Sequence, residues 1–357
     1  MRRVLAATEA PQGGPVEGLV VTRPENRFYL TGFTGSSGYV LVSLQHALLL
    51  TDFRYTEQAA QQAPAFEVVR HGSPWFETLA ERACALGLTH LGFEADHLSV
   101  ADLQAMQAAV PGVRLTPLCG VVEQLRLVKE PAEIEIIARA AACSEGALRK
   151  VLESGVLRPG VREFEVAAEL EHHMRQGGAS RPAFDTIVAS GPRSSLPHGR
   201  ASDRRLAAGD FVTMDFGALV DGYCSDITRT VVIGRASPEQ RRLYDLVLRA
   251  QLAGLGAVAP GAGGRAADEA ARAIIRDAGH GDHFGHGLGH GVGIAIHEGP
   301  RLSPLSDSIL QPGMVTSVEP GVYLPGWGGV RIEDLVAVTG DGCRVLTDST
   351  KELIELL

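Results

Sequence analysis

The sequence predicts an α/β (α+β) fold in two domains, and three features lead to this prediction. The chain has 357 residues, which is long for one ordinary domain. Its first third alternates short apolar runs, such as residues 38–50, with segments of helical pattern, such as residues 74–87. Between residues 121 and 155 the pattern changes to one typical of a long helix. We therefore predict an N-terminal α/β domain over residues 1–124 and a second domain over residues 125–357.

The composition excludes several classes of function. Hydrophobic residues make up 45% of the chain and charged residues 21%, which is typical of a folded globular protein. The formal net charge of −9 offers no basic surface, so we expect neither a nucleic acid nor a membrane as partner. The five cysteines include no C-x-x-C pair, which argues against a disulfide framework and against a thiolate zinc site. Because the N-terminus also lacks the apolar core of a signal peptide, we expect a cytoplasmic protein.

The second domain is expected to open with a helix at Glu130 and Pro131. Proline is favoured in the first turn of a helix, and the acidic Glu133 and Glu135 follow it closely. Ile134, Ile137, Ala138 and Ala141 then recur at helical spacing.

Two aspartates interrupt an apolar region that predicts a pair of strands. Residues 211–234 indicate two strands around a turn at residues 220–222, with Asp215 on the first strand and Asp226 on the second. Such a hairpin brings both carboxylates to one end of a sheet. A lone aspartate near a turn is more often solvated, but Asp215 lies within an apolar run, where an uncompensated charge is costly.

Two glutamates and a histidine-rich stretch complete a candidate metal site. Glu319 follows an apolar run and precedes a Pro-Gly turn, Glu333 lies in a strand-like run, and residues 285–298 contain three histidines among five glycines. Clustered carboxylates repel one another unless cations lie among them, and carboxylate with imidazole suits manganese, cobalt, iron or zinc. Four carboxylates and one histidine can hold two ions with a bridging hydroxide, which predicts a hydrolase.

The spacing of the histidine-rich stretch excludes other familiar motifs. Glu298 is followed by Gly-Pro-Arg, so there is no H-E-x-x-H zinc motif, and the glycines do not form the dinucleotide-binding turn. The chain also has neither a G-x-S-x-G elbow nor a Walker loop.

These motifs resemble the proline-specific branch of the pita-bread metallopeptidases, the branch that contains aminopeptidase P and prolidase. The resemblance covers nearly the whole chain and fits the short, two-domain bacterial type. It implies an N-terminal creatinase-like domain, a C-terminal pita-bread catalytic domain and a homodimer. The stretches that carry it are residues 23–42, 187–199, 213–230, 286–298 and 317–334.

The resemblance also implies roles for individual residues. Asp226 and Glu333 match the ligands that bridge the two metals, and Glu319 is a candidate general base. His297 matches the histidine that stabilises the tetrahedral oxyanion, and His198 the one near the scissile amide nitrogen. The full set of matched metal ligands is Asp215, Asp226, His290, Glu319 and Glu333. This ligand set suits manganese or cobalt and tolerates zinc or iron, and we expect two divalent ions per chain, with manganese the favoured metal.

Further positions bear on specificity. His286, Tyr323 and Arg331 match residues that line the site or orient ligands. Arg301 matches a carboxylate-binding arginine of some prolidases, although it also fits an ordinary surface arginine. The compact loop between Pro300 and Gln311 has no added lid, and we therefore favour aminopeptidase P, with prolidase as the alternative. Methionine aminopeptidase and a non-catalytic peptide-binding or partner-binding protein are the remaining alternatives.

Overall fold

The structure is a computed structural model that describes residues 15–357. Residues 1–14, on which part of the expected localisation rests, lie outside the described residues. The chain divides into two compact units, Met1–Arg126 and Leu127–Leu357. None of the helices in residues 15–357 combines the length and apolar character needed to span a membrane.

The first unit is built around a six-stranded mixed sheet in the order β4-β3-β2-β1-β5-β6. Its strands are β1 (Gly18–Val21), β2 (Tyr39–Ser43), β3 (Ala47–Thr51), β4 (Glu67–Arg70), β5 (His90–Glu94) and β6 (Arg114–Leu118). Its helices are α1 (Pro24–Thr31), α2 (Thr56–Gln62), α3 (Trp75–Ala85), α4 (Val100–Ala109) and α5 (Val121–Leu127), the last of which ends in the second unit. The apolar runs in residues 38–50 form β2 and β3, and residues 74–87 contain α3, as their patterns predict.

The second unit has four long helices. They are α6 (Pro131–Ser154), α7 (Glu163–Gln176), α8 (Pro238–Ala257) and α9 (Gly264–Ile275). Helix α6 begins where the sequence predicts, with Pro131 in the first turn. Glu130 and Glu133 form a capping box that satisfies two of the helix's free N–H groups, and Gly155 ends the helix with a left-handed φ of 71°.

The strands of the second unit form four sheets. The sheet orders are β11-β10-β7, β20-β12-β9-β8, β14-β13-β15-β18-β19 and β16-β17. The strands before residue 260 are β7 (Arg181–Pro182), β8 (Ile187–Ser190), β9 (Phe211–Phe216), β10 (Ala218–Val220), β11 (Tyr223–Cys224) and β12 (Ile227–Ile233). The later strands are β13 (Gly289–Gly291), β14 (Glu298–Leu302), β15 (Val315–Val318), β16 (Gly321–Leu324), β17 (Gly328–Arg331), β18 (Asp334–Val338), β19 (Cys343–Val345) and β20 (Glu355–Leu356).

Each of the two strands predicted in residues 211–234 is divided into two shorter strands, β9 and β10 in the first and β11 and β12 in the second. In the long part of the hairpin, β9 pairs antiparallel with β12, and Asp215 lies opposite Thr228. A Cβ atom at Gly217 would lie 1.9 Å from the carbonyl oxygen of Ser225, so only glycine allows the two backbones to cross there. Asp226 consequently lies immediately before β12 and not within the strand, which corrects the sequence-based prediction.

Glu333 also lies outside the strand that the sequence predicts for it. It occupies the two-residue break between β17 and β18, whereas the sequence indicates one continuous strand. Glu319 directly follows β15, as its Pro-Gly turn predicts. Three of the four predicted carboxylate ligands therefore lie at strand ends, where the side chain is free of the alternation that a ladder imposes.

Two apolar cores hold the second unit together. Side chains from α6 and α7 pack on one face of β8, β9 and β12, with Leu170, Met174 and Met214 fully buried. Side chains from α8 and α9 pack under the five-stranded sheet around Val247, Ala271 and Val336. The carboxylates lie on the strands that these two cores support.

Candidate active site

A cavity of about 760 Å³ opens in the second unit where the predicted site residues converge. All of them line it except Tyr323 and Glu333, of which Tyr323 contacts the lining residue His286 and Glu333 lies beside the lining residues Asp215 and Asp226. The predicted residues in the lining are His198, Asp215, Asp226, His286, His290, His297, Arg301, Glu319 and Arg331.

Three carboxylates cluster at one side of this cavity. Asp215, Asp226 and Glu333 each present an oxygen, and these oxygens all lie within 4.8 Å of one another. Asp226 and Glu333 are buried, and Asp215 is nearly so. Hard divalent cations prefer such oxygen donors, and three of them at this spacing fit one ion or a pair of ions.

The histidine and the fourth carboxylate lie beside this group. His290 Nε2 is 3.3 Å from Glu319 Oε1 and 3.6 Å from Asp226 Oδ2. The other ring nitrogen, Nδ1, donates to the carbonyl oxygen of Gly291 at 3.1 Å, which leaves Nε2 as the nitrogen that carries the lone pair. A lone pair that faces two carboxylates is electrostatically unfavourable unless a cation lies between them.

Unsatisfied atoms point to the same conclusion. Asp215 Oδ1 and Glu333 Oε1 are buried, and within the described part of the chain neither has a hydrogen-bond partner. Buried oxygens of this kind are costly and need an explanation. Their partner oxygens are held: Arg331 donates to Asp215 Oδ2 at 2.5 Å, and Thr228 donates to Glu333 Oε2 at 2.7 Å. One oxygen of each group is thus oriented and the other is left for a ligand, which fits a metal.

The pKa values of the carboxyl groups are shifted in the direction expected of a metal site without its ions. Burial raises the pKa of Asp226 well above its usual value, and the charges of Glu333, Asp215 and Glu319 raise it further. Burial likewise raises the pKa of Glu333, with repulsion from Glu319 and Asp215 adding to it. The pKa of Glu319 is raised mainly by burial as well. Bound cations would reverse these shifts because they favour the ionised carboxylates.

A hydrogen-bonded chain fixes the wall behind the carboxylates. Arg331 contacts Asp215, Thr228 Oγ1 at 3.2 Å and Tyr323 OH at 2.9 Å. The Tyr323 hydroxyl in turn lies 2.9 Å from His286 Nε2. His286 Nδ1 faces the carbonyl oxygen of Gly287 at 2.8 Å, so its Nε2 accepts the tyrosine proton. Burial lowers the pKa of His286, which keeps this imidazole neutral.

His297 and His290 are in edge-to-face contact, with ring centroids 4.3 Å apart. Burial and the neighbouring His290 lower the pKa of His297 to about 4. His297 is therefore neutral near pH 7 and has one N–H to donate. His198 lies in the turn that follows a short 3₁₀ helix (Gly191–Ser195), and it reaches the cavity from another segment of the chain.

Arg301 provides a positive charge in the lining of the cavity. It lies on β14 directly across the ladder from His290. Its guanidinium makes no ion pair and no hydrogen bond with residues 15–357, whereas the other arginines of the cavity, Arg200 and Arg331, are paired with Asp185 and Asp215. An arginine without an ion-pair partner in a cavity is suited to a carboxylate.

Sequence reasoning missed several contributors to this site. Thr228 holds Glu333, and Ser317 Oγ donates to Glu319 Oε1 at 2.9 Å while accepting the N–H of His290 at 3.0 Å. Each lies two positions from a predicted ligand, Thr228 from Asp226 and Ser317 from Glu319, so closeness in the sequence to a predicted ligand was the usable signal. Phe184, Asp185 and Arg200 also line the cavity, and no spacing rule would have selected them.

Comparison with known proteins defines the class of this chain. Residues 135–340 match metallopeptidase family M24, and residues 3–128 match the creatinase/prolidase N-terminal domain. The chain therefore belongs to metallopeptidase family M24, a family whose members use divalent metal ions, and it carries the creatinase-like N-terminal domain that the resemblance implied.

Particular relatives are similar over almost the whole chain. The Xaa-Pro dipeptidase of Pyrococcus furiosus is 40% identical over 341 residues, which are 95% of each protein. The structure of an Xaa-Pro dipeptidase from Bacillus anthracis is 47% identical with a TM-score of 0.93, over 96% of this chain and 95% of that one. The structure of an X-Pro aminopeptidase from Thermotoga maritima is 39% identical with a TM-score of 0.89, over 95% and 97%.

Proposed function

We propose that this protein hydrolyses the Xaa-Pro bond at the N-terminus of short peptides with the help of two divalent metal ions. The observation that carries the proposal is the convergence of five donors, two of them with buried and unpartnered oxygens, in a chain of metallopeptidase family M24. The residues that would hold the ions are Asp215, Asp226, His290, Glu319 and Glu333.

The donor set suits manganese best. Four carboxylates and one imidazole form a hard site that also admits a borderline donor, and the described residues bring no thiolate into the cavity. Cobalt and zinc fit the same donors. When bound, the ions supply a hydroxide near neutral pH and polarise the scissile carbonyl.

The remaining chemistry falls to side chains of the chain. Glu319 is the proposed general base, because its carboxylate lines the cavity beside the other proposed ligands, where it could take up a proton from the attacking water and pass it on. The serine hydroxyl of Ser317 holds one oxygen of Glu319, so the carboxylate keeps its orientation as its charge changes.

The histidines stabilise charge and orient the substrate. His297, neutral and fixed against His290, is the proposed donor to the oxyanion of the tetrahedral intermediate. His198 is proposed to steady the departing proline nitrogen. Arg331 and Tyr323 hold Asp215 in place through the hydrogen-bonded chain that ends on His286.

Two modes of Xaa-Pro hydrolysis suit this site. The sequence favours aminopeptidase P, which needs room beyond the proline. Arg301 supports the dipeptidase mode, because the carboxylate of a C-terminal proline is the anion that an unpaired guanidinium in the cavity would bind. The names of the relatives include both activities. Because of Arg301, we propose the dipeptidase mode on equal terms with the aminopeptidase P mode.

We further propose a homodimer in the cytoplasm. The dimer rests on the family resemblance. The cytoplasm is supported by the five cysteines, all of which are free thiols.

The deciding experiment measures amino-acid release by the manganese-loaded protein from Ala-Pro and Ala-Pro-Ala at equal concentration, with Met-Ala as the reference. Faster cleavage of the tripeptide indicates an aminopeptidase P, and cleavage of the dipeptide alone indicates a dipeptidase. Absence of hydrolysis of both proline peptides by protein with full metal content contradicts the proposal, as does a preference for Met-Ala. Asp226→Asn is the inactive control.

A further inference from the structure

A buried ion pair lies directly behind the turn that carries His297. Lys129 Nζ and Glu298 Oε1 are 2.7 Å apart, and their side chains are only 1% and 8% exposed. Neither residue lines the cavity. Ion pairs buried this deeply contribute little net stability compared with apolar side chains of the same size. The presence of this pair is therefore better explained by a role in fixing the conformation of the turn.

The Glu298 carboxylate lies inside the turn formed by residues 293–298 and contacts its backbone. Its second oxygen, Oε2, accepts the N–H of Ala295 at 3.3 Å. A Cβ atom at Gly293 would lie 2.3 Å from Glu298 Oε1, so the turn backbone lies directly against this carboxylate. The N–H of Gly293 donates to the carbonyl oxygen of Ala295 at 3.1 Å. Residues 293–298 thus wrap around the Glu298 side chain, and His297 is the residue directly before Glu298 in this turn.

Lys129 is itself held firmly. Its backbone N–H donates to the carbonyl oxygen of Gly313 at 2.8 Å, and its ammonium also lies 3.4 Å from the carbonyl oxygen of Leu127. Helix α6 begins two residues later, at Pro131. The ion pair therefore ties the turn of His297 to the start of a long helix.

We infer that Lys129 is a positioning residue for His297 and acts on it through Glu298. The inference rests on the proposed function, because it assigns Lys129 to the step in which His297 contacts the oxyanion. Without the ammonium, the Glu298 carboxylate would turn towards water and the turn would open. A displacement of a catalytic group by about 1 Å can lower a rate by about 100-fold.

The test compares four variants with the wild type on the better of the two proline peptides. Lys129→Met removes the charge, Lys129→Arg keeps it, His297→Ala removes the proposed donor, and Lys129→Met/His297→Ala combines two of these changes. Arg204→Met is the matched control, because Arg204 also pairs with a carboxylate, that of Asp210 at 2.6 Å, and does not line the cavity. Metal content and melting temperature are measured for each protein.

We expect Lys129→Met to lower kcat by about 10- to 100-fold with KM within about 3-fold of the wild type and full metal content. Lys129→Arg should recover most of the rate, and Arg204→Met should keep the wild-type kcat. The double variant should be no slower than His297→Ala alone, because the two residues act on one step.

Two results would overturn the inference while leaving the proposed function intact. One is a wild-type kcat in Lys129→Met, and the other is a double variant whose loss equals the product of the single losses. If Lys129→Met does not fold, Lys129→Met/Glu298→Leu removes both charges, and a wild-type kcat in that folded protein also overturns it. An inactive wild type with full metal content contradicts the proposed function instead.

Discussion

Glu333→Gln should change the stability of the protein in opposite directions with and without metal. In the metal-free protein, burial and the charges of Glu319 and Asp215 raise the pKa of Glu333 well above its usual value. A group whose pKa is raised on folding contributes stability that is present below its unfolded pKa and is lost as the pH rises through its folded pKa. As the pH rises towards 8, the cost of ionising the buried Glu333 therefore destabilises the metal-free fold, and a neutral amide removes this effect.

The size of the effect follows from the geometry. The side chain is 1% exposed, so solvent screens it little. Relief of a buried polar oxygen without a partner, such as Glu333 Oε1, is worth about 1.5 kcal/mol, so metal-free Glu333→Gln should be more stable by about this amount at pH 8. For a unit the size of Leu127–Leu357, this raises the melting temperature by about 3–6 °C. The amide oxygen can still accept the hydroxyl of Thr228.

Manganese should reverse the order of the two proteins. An ion present at 100 times its Kd stabilises the fold by about 2.7 kcal/mol, or about 5–11 °C. The wild type should gain this amount, and Glu333→Gln should gain little, because the amide is a poorer ligand for a hard cation.

Calorimetry of EDTA-treated and manganese-loaded protein from pH 4 to pH 8 measures both effects. The difference between the metal-free proteins should grow as the pH rises and vanish near pH 4. Two results refute the reasoning: metal-free Glu333→Gln that melts below the wild type at pH 8, or equal gains from manganese in the two proteins.

The neighbouring Asp334 offers a matched control of opposite sign. It is buried and paired with Arg229 at 2.8 Å and Lys351 at 2.7 Å. Burial opposes its ionisation, but the charge of Arg229 and the contact with Lys351 lower its pKa overall. Its contribution is present above its unfolded pKa and is lost as the pH falls through the lowered value. Asp334→Asn should therefore cost about 3–5 kcal/mol at pH 8 with or without metal, because it leaves Arg229 buried without its counter-charge.

Three further outcomes are expected. His297→Ala should lower kcat by about 10²- to 10³-fold with unchanged metal content, since it removes one donor to the oxyanion; a change confined to KM would argue against this role. Arg301→Ala should raise KM for Ala-Pro by about 10-fold or more, the value of a charged hydrogen bond, and leave KM for Ala-Pro-Ala nearly unchanged; equal effects on both peptides would remove Arg301 as the carboxylate ligand. Burial raises the pKa of Tyr244 to about 12, so the stability that its neutral form contributes is complete below pH 10 and is lost as the pH rises from 10 to 12. The melting temperature of Tyr244→Phe should fall less over this range than that of the wild type, and parallel curves would contradict the assignment.

Much of the site was predictable because its residues interrupt apolar strands. Asp215 stands out in β9 for this reason, and the histidines stand out in a glycine-rich stretch. Periodicity does not reveal where a ladder stops. The positions of Asp226 and Glu333 at strand breaks depend on crossings such as that of Gly217 over Ser225, which involve residues that pair only in the fold.

The supporting contacts were the least predictable part of the site. Lys129 and Glu298 are far apart in the sequence, and each alone fits a charged surface residue. The hydrogen bonds from Arg331 to Tyr323 and from Tyr323 to His286 likewise join two strands and a loop. Neither bond can be predicted before these three segments are placed. The fold class, by contrast, follows from local patterns, and the family comparison agrees with it.

The carboxylates come from two separate stretches of chain, and this gives the metal a part in assembly. Asp215 and Asp226 precede the loop between α8 and α9, whereas His290, Glu319 and Glu333 follow it. A chain cut in that loop would place two donors on one fragment and three on the other. Divalent ions would then link the two fragments, and a chelator would separate the fragments again. A protein divided at this loop would be a split enzyme controlled by metal.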